Sequence, residues 1–261
     1  MPHARRLLPF TVLLTAILAA PAFADDWETC AKGKGDDAIA ACTRAIKSGT
    51  YTGRVLALAY SNRGVELKAK GDVAKAIADY DEAIKADPQQ SAAYNNRGIA
   101  YAAMASYDKA IADYDQAIRL DPKYASALNN RGLAYFNKGQ QQRAIADYDA
   151  AIKLEPDAVR LNNRGNAYAN RGQYDRAIQD FDEAVALDDK YAIAIYNRGN
   201  AYFAKGDPDR AIANYDQALK LNAKYEDAYV NRGVAHERKG ALDRAIADYD
   251  AALKLEPKDA V

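Results

Sequence analysis

The sequence predicts an all-α array of helix-turn-helix repeats, and three observations predict it. The tripeptide Asn-Arg-Gly recurs six times, starting at Asn62, Asn96, Asn130, Asn163, Asn197 and Asn231, at steps of 34, 34, 33, 34 and 34 residues. A fixed period of this size marks a stack of units, each burying its apolar face only against its neighbours. Around each tripeptide glycine, an apolar or aromatic residue stands four positions before (Tyr60, Tyr94, Leu128, Leu161, Ile195, Tyr229). Another stands three positions after: Leu67, Tyr101, Tyr135, Tyr168, Tyr202, then His236. This is the i, i+4, i+7 stripe of an amphipathic helix. Further on, alanine, an aromatic and alanine repeat the same spacing, as in Ala144, Tyr148 and Ala151, and so predict a second helix in every unit.

Taken in order, the chain opens with Arg5 and Arg6, an apolar run from Leu7 to Ala20, and the small-x-small triplet Ala22-Phe23-Ala24. This is the layout of a secretory signal peptide over 1–24, too short in its apolar part for a comfortable membrane span. The expected destination is the periplasm of a two-membrane cell, with release outside the cell or a eukaryotic secretory compartment as alternatives. No other apolar run is long enough to cross a bilayer. Without Arg5 and Arg6 the chain has 34 basic and 36 acidic side chains, about −2. That balance favours neither nucleic acid nor an anionic membrane surface as a partner.

Residues 25–53 read as a degenerate N-terminal half hairpin and linker. Ala38 to Lys47 aligns with Ala76 to Lys85, which puts Cys42 in the slot of Tyr80. Cys30 precedes a Gly33-Lys34-Gly35 turn on what should be a shortened first helix. Two cysteines on facing helices of an exported hairpin are expected to form a disulfide, worth roughly 2–4 kcal/mol. Two buried free thiols are the alternative, while two cysteines with no nearby histidine do not complete a metal site. Ser48 to Gly53 is read as the linker.

Residues 54–258 hold the six units, about 57–88, 89–122, 123–156, 157–189, 190–223 and 224–257. A mid-helix glycine costs about 1 kcal/mol against alanine, so its sixfold recurrence predicts that another backbone packs closely on it. Gly71, Gly139, Gly172, Gly206 and Gly240 punctuate the turns, while Pro88, Pro122, Pro156 and Pro257 are expected to stop the second helices. Gly-x-x-Tyr followed by alanine, an aromatic, alanine and proline at these intervals resembles the tetratricopeptide repeat (TPR). Arginine before the glycine, Tyr, Leu or Ile where tryptophan is common, and Asp189 and Ala223 in place of proline depart from the family pattern. The resemblance implies a right-handed superhelical solenoid with a concave inner groove.

Chemistry in the catalytic sense finds no support. His3 lies in the leader and His236 in a stripe slot, and no phosphate loop, nucleophile elbow or metal motif is present. The chain is therefore read as a non-enzyme with no cofactor. Arg63, Arg97, Arg131, Arg164, Arg198 and Arg232 flank the first stripe, and Asp79, Asp113, Asp147, Asp180, Asn214 and Asp248 flank the second. Pairing of the two sets is expected, in preference to capture of an anionic ligand.

The asparagines Asn62, Asn96, Asn130, Asn163, Asn197 and Asn231 lie roughly opposite the packing stripe. An amide offers both donor and acceptor, so it can pair with a peptide backbone of any sequence. In TPR proteins this slot lines the inner groove. The ladder resembles the one that holds extended peptides in the eukaryotic O-linked N-acetylglucosamine transferase, although this chain has no glycosyltransferase domain. Asn129, Asn166, Asn200, Phe136, Tyr196 and Phe203 are further groove residues by the same helical wheel, as are Asn95 and Asn162. The alternative is an inert asparagine copied by duplication.

The expected function is a non-catalytic scaffold of the cell envelope that binds a protein or extended peptide. A purely structural role is the alternative: with no visible polar cap after Ala245–Leu255, the last helix would stack on another copy and make a homo-oligomer.

Overall fold

The computed structural model describes residues 21–255, and these form fourteen helices and no strands. The apolar run of the expected leader, and Pro257, lie outside the described residues. The chain divides into two compact units, residues 1–88 and 89–261.

The first unit holds α1 (Pro21–Lys32), α2 (Gly35–Lys47), α3 (Gly53–Ala69) and α4 (Val73–Ala86). The second holds α5 (Ser91–Ala103), α6 (Tyr107–Leu120), α7 (Ala125–Asn137), α8 (Gln141–Leu154) and α9 (Ala158–Asn170). It continues with α10 (Tyr174–Leu187), α11 (Ala192–Ala204), α12 (Pro208–Leu221), α13 (Glu226–Arg238) and α14 (Leu242–Leu255). Within each unit every helix packs on its neighbours in the chain, and the first helices of successive hairpins also touch.

The core is the small-large-small stripe. Tyr80, Tyr114, Tyr148, Phe181 and Tyr215 are fully buried between the alanines that precede and follow them. The mid-helix glycines exist for these rings. A Cβ on Gly64, Gly98, Gly132, Gly165, Gly199 or Gly233 would stand only 2.6–2.8 Å from Cε1 of the aromatic ring on the next helix. The close neighbour is thus a side chain, not the backbone expected from sequence. The ring reaches across the hairpin and lies on the bare helix.

Turns between paired helices close as αL caps. In the third repeat the Gln140 N–H donates to Tyr135 O at 2.8 Å while Gly139 sits at φ +74. The same cap forms around Ala105, at φ +53, where the other units have glycine. Prolines do not set the ends of the second helices. Helices α10 and α12, followed by Asp189 and Ala223, stop at Leu187 and Leu221, the register at which α6 stops before Pro122. Each end is made by an extended residue, such as Asp188 at φ −143, whose N–H still donates to Ala184 O.

The arginines and aspartates pair. Arg131 donates from Nε and Nη2 to Asp147 at 2.8 and 2.6 Å, and Arg63, Arg97, Arg164 and Arg232 pair likewise with Asp79, Asp113, Asp180 and Asp248. Arg198 donates to Asn214 at 2.7 Å. Within the second unit a further bond ties four hairpins to the ones before them: Nη1 of Arg131, Arg164, Arg198 and Arg232 reaches Asp115, Asp149, Asp182 and Asp216. Burial raises the Asp180 carboxyl above the ordinary carboxylate value even beside Arg164. The Arg164 guanidinium is raised as well, and there the leading cause is its bond to Asp180, which favours the charged form. The geometry decides between these: a bidentate pair with both oxygens satisfied orients the helices, while its net contribution to stability is small.

In the first unit, α1 and α2 form a hairpin closed by the Cys30–Cys42 disulfide, packed with Ala41, Ala59, Trp27 and Ile46. Its first helix, α1, has 12 residues against 13 in α5, and Pro21–Ala24 of the 12 belong to the expected leader. Residues 48–52 of the expected linker lie between α2 and α3, and α3 starts at Gly53 and runs for 17 residues. No helix among the described residues is long and apolar enough to cross a membrane.

Candidate functional site

The second unit presents three open depressions along its first helices. One of about 430 Å³ is lined by Phe136, Asn166, Asn170, Tyr174, Asn197 and Asn200 above a floor of Phe181 and alanines. A second, about 290 Å³, has Asn130 and Asn137 with Leu133, Ile99 and Tyr114. A third, about 240 Å³, has Asn200 and Asn231 with Phe203, Tyr215 and Val234. None of the three is lined by a charged side chain.

The floor follows from the core: the buried aromatic of each second helix reaches the glycine of the first helix. The walls follow from the 3.6-residue turn, which brings positions one before, two after and three after the arginine to one side.

The ladder asparagines are half-buried, and Asn130, Asn163, Asn197 and Asn231 are linked to the preceding first helix. Nδ2 of Asn130 donates to Asn95 Oδ1 at 3.0 Å, Asn163 to Asn129 at 3.0 Å, and Asn197 to Asn162 at 2.8 Å. An amide has two N–H donors and an acceptor oxygen, so one such bond occupies part of its capacity and fixes its plane. Asn231 is held more tightly, donating to Tyr196 Oη at 2.7 Å and to Asn200 Oδ1 at 3.0 Å. Asn200 Oδ1 also accepts from Tyr215 Oη at 2.7 Å.

Other residues expected in the groove fall into different places. Asn95 and Asn162, taken from the wheel as groove-facing, are 4% exposed and serve as acceptors for the next rung. A helical wheel places a residue relative to its own helix alone, and the helix stacked behind it is what buries these two. Asn129 has the same partner role for Asn163 and remains half-buried. The Tyr196 ring packs on Tyr215 and Tyr225, at 5.8 and 4.7 Å between centroids. Burial pushes the Tyr225 hydroxyl up to about 12 and raises those of Tyr196 and Tyr215, so all three remain protonated donors at neutral pH. The Phe203 ring lies under the Arg238 guanidinium, 5.1 Å from its centroid. Asn96 is half-buried on α5, and Asn62 is half-buried on α3 in the first unit. Tyr174 escaped the sequence reading. Its only signal was an aromatic at the first position of a second helix, shared with Tyr107, where the other units have Val73, Gln141, Pro208 or Leu242.

Family models agree with this architecture along most of residues 64–260. Models described as tetratricopeptide repeat match 125–157 and 196–260, and one described as TPR repeat matches 64–104, 106–139 and 165–206. The chain belongs to the tetratricopeptide repeat family. Among solved structures, MamA is 29% identical, with a TM-score of 0.57, covering 62% of this chain and 96% of its own. A TPR protein from Parabacteroides merdae, 21% identical, has a TM-score of 0.71 and covers 91% and 93%. YrrB, described as a TPR protein with an unusual peptide-binding site, is 22% identical with a TM-score of 0.55, covering 69% and 93%. The last two are alike in fold alone. No curated protein matches the chain.

The three depressions of this TPR surface are lined by neutral side chains. Amides and aromatic rings line them, and no carboxylate, lysine or arginine stands there to clamp a charged end group. Such a lining suits the neutral, alternating donors and acceptors of an extended backbone, with room for side chains over Phe136 and Tyr174.

Proposed function

We propose that this TPR protein is a non-catalytic scaffold of the cell envelope that holds an extended segment of a partner protein along the asparagine-lined depressions of residues 89–255. One observation carries the reading: three successive depressions repeat the same uncharged amide-and-aromatic lining. Each backbone hydrogen bond to an amide would contribute about 1 kcal/mol net, and affinity would accumulate over rungs. Phe136, Phe203 and Tyr196 would bias which side chains are accepted. Arg5, Arg6 and the apolar run that follows support export, tested by fusing residues 1–24 to a reporter active only outside the cytoplasm.

The groove is tested by affinity capture from envelope extract. Wild type should retain a partner that Asn130→Ala/Asn166→Ala/Asn197→Ala loses while keeping its helical circular dichroism. Equal capture by both proteins would remove the function from this surface.

A second reading, self-association through α14, has its own observation. Leu242, Ile246 and Leu253 are 59%, 58% and 62% exposed along one side of that helix, where earlier units cover the same side with the next hairpin. Ile246→Glu/Leu253→Glu should then dissolve an oligomer seen by analytical ultracentrifugation. A monomeric wild type would end this reading.

A further inference from the structure

We propose that the first unit carries a second recognition site, between α2, α3 and α4, that takes a tyrosine flanked by a carboxylate from a partner protein. It lies away from the asparagine side: Leu67 stands about 140° around α3 from Asn62 at 100° per residue. The site is a depression of about 440 Å³ lined by Ile39, Thr43, Arg63, Leu67, Lys75 and Asp79.

The other repeats show what this space is shaped for. In Leu67's register stand Tyr101, Tyr135, Tyr168 and Tyr202. The Tyr135 ring meets two guanidiniums, Arg131 at 6.0 Å and Arg143 at 5.6 Å, and the Tyr168 ring meets Arg164 at 5.9 Å and Arg176 at 5.6 Å. Lys109 covers Tyr101 at 5.4 Å and Arg210 covers Tyr202 at 4.5 Å. The first unit keeps both cations in register, as Arg63, which also lies over the Tyr60 ring at 5.6 Å, and Lys75, but has leucine in the tyrosine slot. A ring entering from a partner would find the two charges that hold a ring elsewhere in the same chain.

A carboxylate is missing from the same place. Where Asp115, Asp149, Asp182 and Asp216 accept from Nη1 of the next arginine, the first unit has Thr43, whose neutral Oγ1 accepts from Arg63 Nη1 at 3.0 Å. The Lys75–Asp72 pair is exposed on both sides and competes weakly. The ring and the charge absent from this hairpin are therefore those of an acidic, tyrosine-bearing segment.

The test uses the full chain with methyl-labelled isoleucine and leucine, titrated with the peptide Gly-Asp-Tyr-Asp-Gly and followed by NMR. Ring-current shifts of the Ile39 and Leu67 methyls are expected, and a peptide with alanine for tyrosine should produce none. Leu67→Tyr plugs the slot with the residue of the other units; it should fold and bind the peptide at least about tenfold more weakly. Lys75→Ala should weaken binding while leaving the slot open. Binding to Asn130→Ala/Asn166→Ala/Asn197→Ala should equal wild type, which separates this site from the groove. Absence of the methyl shifts, unchanged binding by Leu67→Tyr, or its failure to fold would each overturn the proposal.

Discussion

Replacing Gly132 with alanine should destabilise the protein, although alanine is the better helix former. The added Cβ would stand 2.8, 3.0 and 3.2 Å from Cε1, Cδ1 and Cζ of Tyr148, where ordinary contact is 3.4–4 Å. The ring is fully buried in a cluster with Ala144, Ile145 and Ala167, so it has nowhere to retreat. Overpacking costs about 1–3 kcal/mol, and a contact this short against a confined ring belongs in the upper half of that range. The gain in helix propensity offsets about 1 kcal/mol, leaving a net loss of about 1–2 kcal/mol. Urea unfolding followed by circular dichroism should show a lower midpoint, and hydrogen exchange should place the loss in α7 and α8, because repeat arrays loosen by unit. Adding Tyr148→Leu should cost less in the Gly132→Ala background than in wild type. Unchanged or raised stability of Gly132→Ala would refute the idea that the glycine exists for the ring.

Other outcomes follow from the same geometry. Ala105→Gly should raise stability by roughly 0.5–1 kcal/mol in thermal unfolding, because an exposed non-glycine residue sits at φ +53 and left-handed backbone costs about 1–2 kcal/mol, less glycine's entropy. Tyr148→Phe should stabilise, since the buried Tyr148 hydroxyl has no hydrogen-bond partner among the described residues and Phe181 already fills that slot in the next unit. Tyr215→Phe should do the reverse by removing the 2.7 Å bond to Asn200. His236 is held below its ordinary value, chiefly by burial. The unfolded chain therefore takes up its proton first, and the last hairpin should lose stability as pH falls below about 6.5. His236→Tyr should remove that component of the pH dependence of exchange in α13 and α14.

Much of this fold was legible because the repeat samples each rule six times. A stripe position that reads ambiguously once, such as His236, is settled by Tyr135 and Tyr168 in the same register. The arginine–aspartate pairing was legible for the same reason: two charge ladders on facing helices share one period. What escaped were relations between stacked elements. Helical periodicity showed that something lies on Gly132 but not that it is the Tyr148 ring, and it placed Asn162 toward the groove although the next hairpin buries it under Asn197. The start of α3 at Gly53 was hidden because glycine, at φ +52 here, reads as linker in isolation. Tyr174 joins the depression around Phe136 through the packing of α9 and α10, which no spacing within either helix reveals.

The most direct test of the account is where a bound partner touches the protein. A photo-crosslinking side chain would be placed at Asn166, inside the 430 Å³ depression, and separately at Lys153, exposed on α8. Both proteins would be expressed in cells and irradiated, and the adducts mapped by mass spectrometry. The account predicts an adduct from Asn166 to one extended stretch of a partner protein and none from Lys153. Adducts from Lys153 alone would contradict it and place the working surface outside the asparagine-lined depressions.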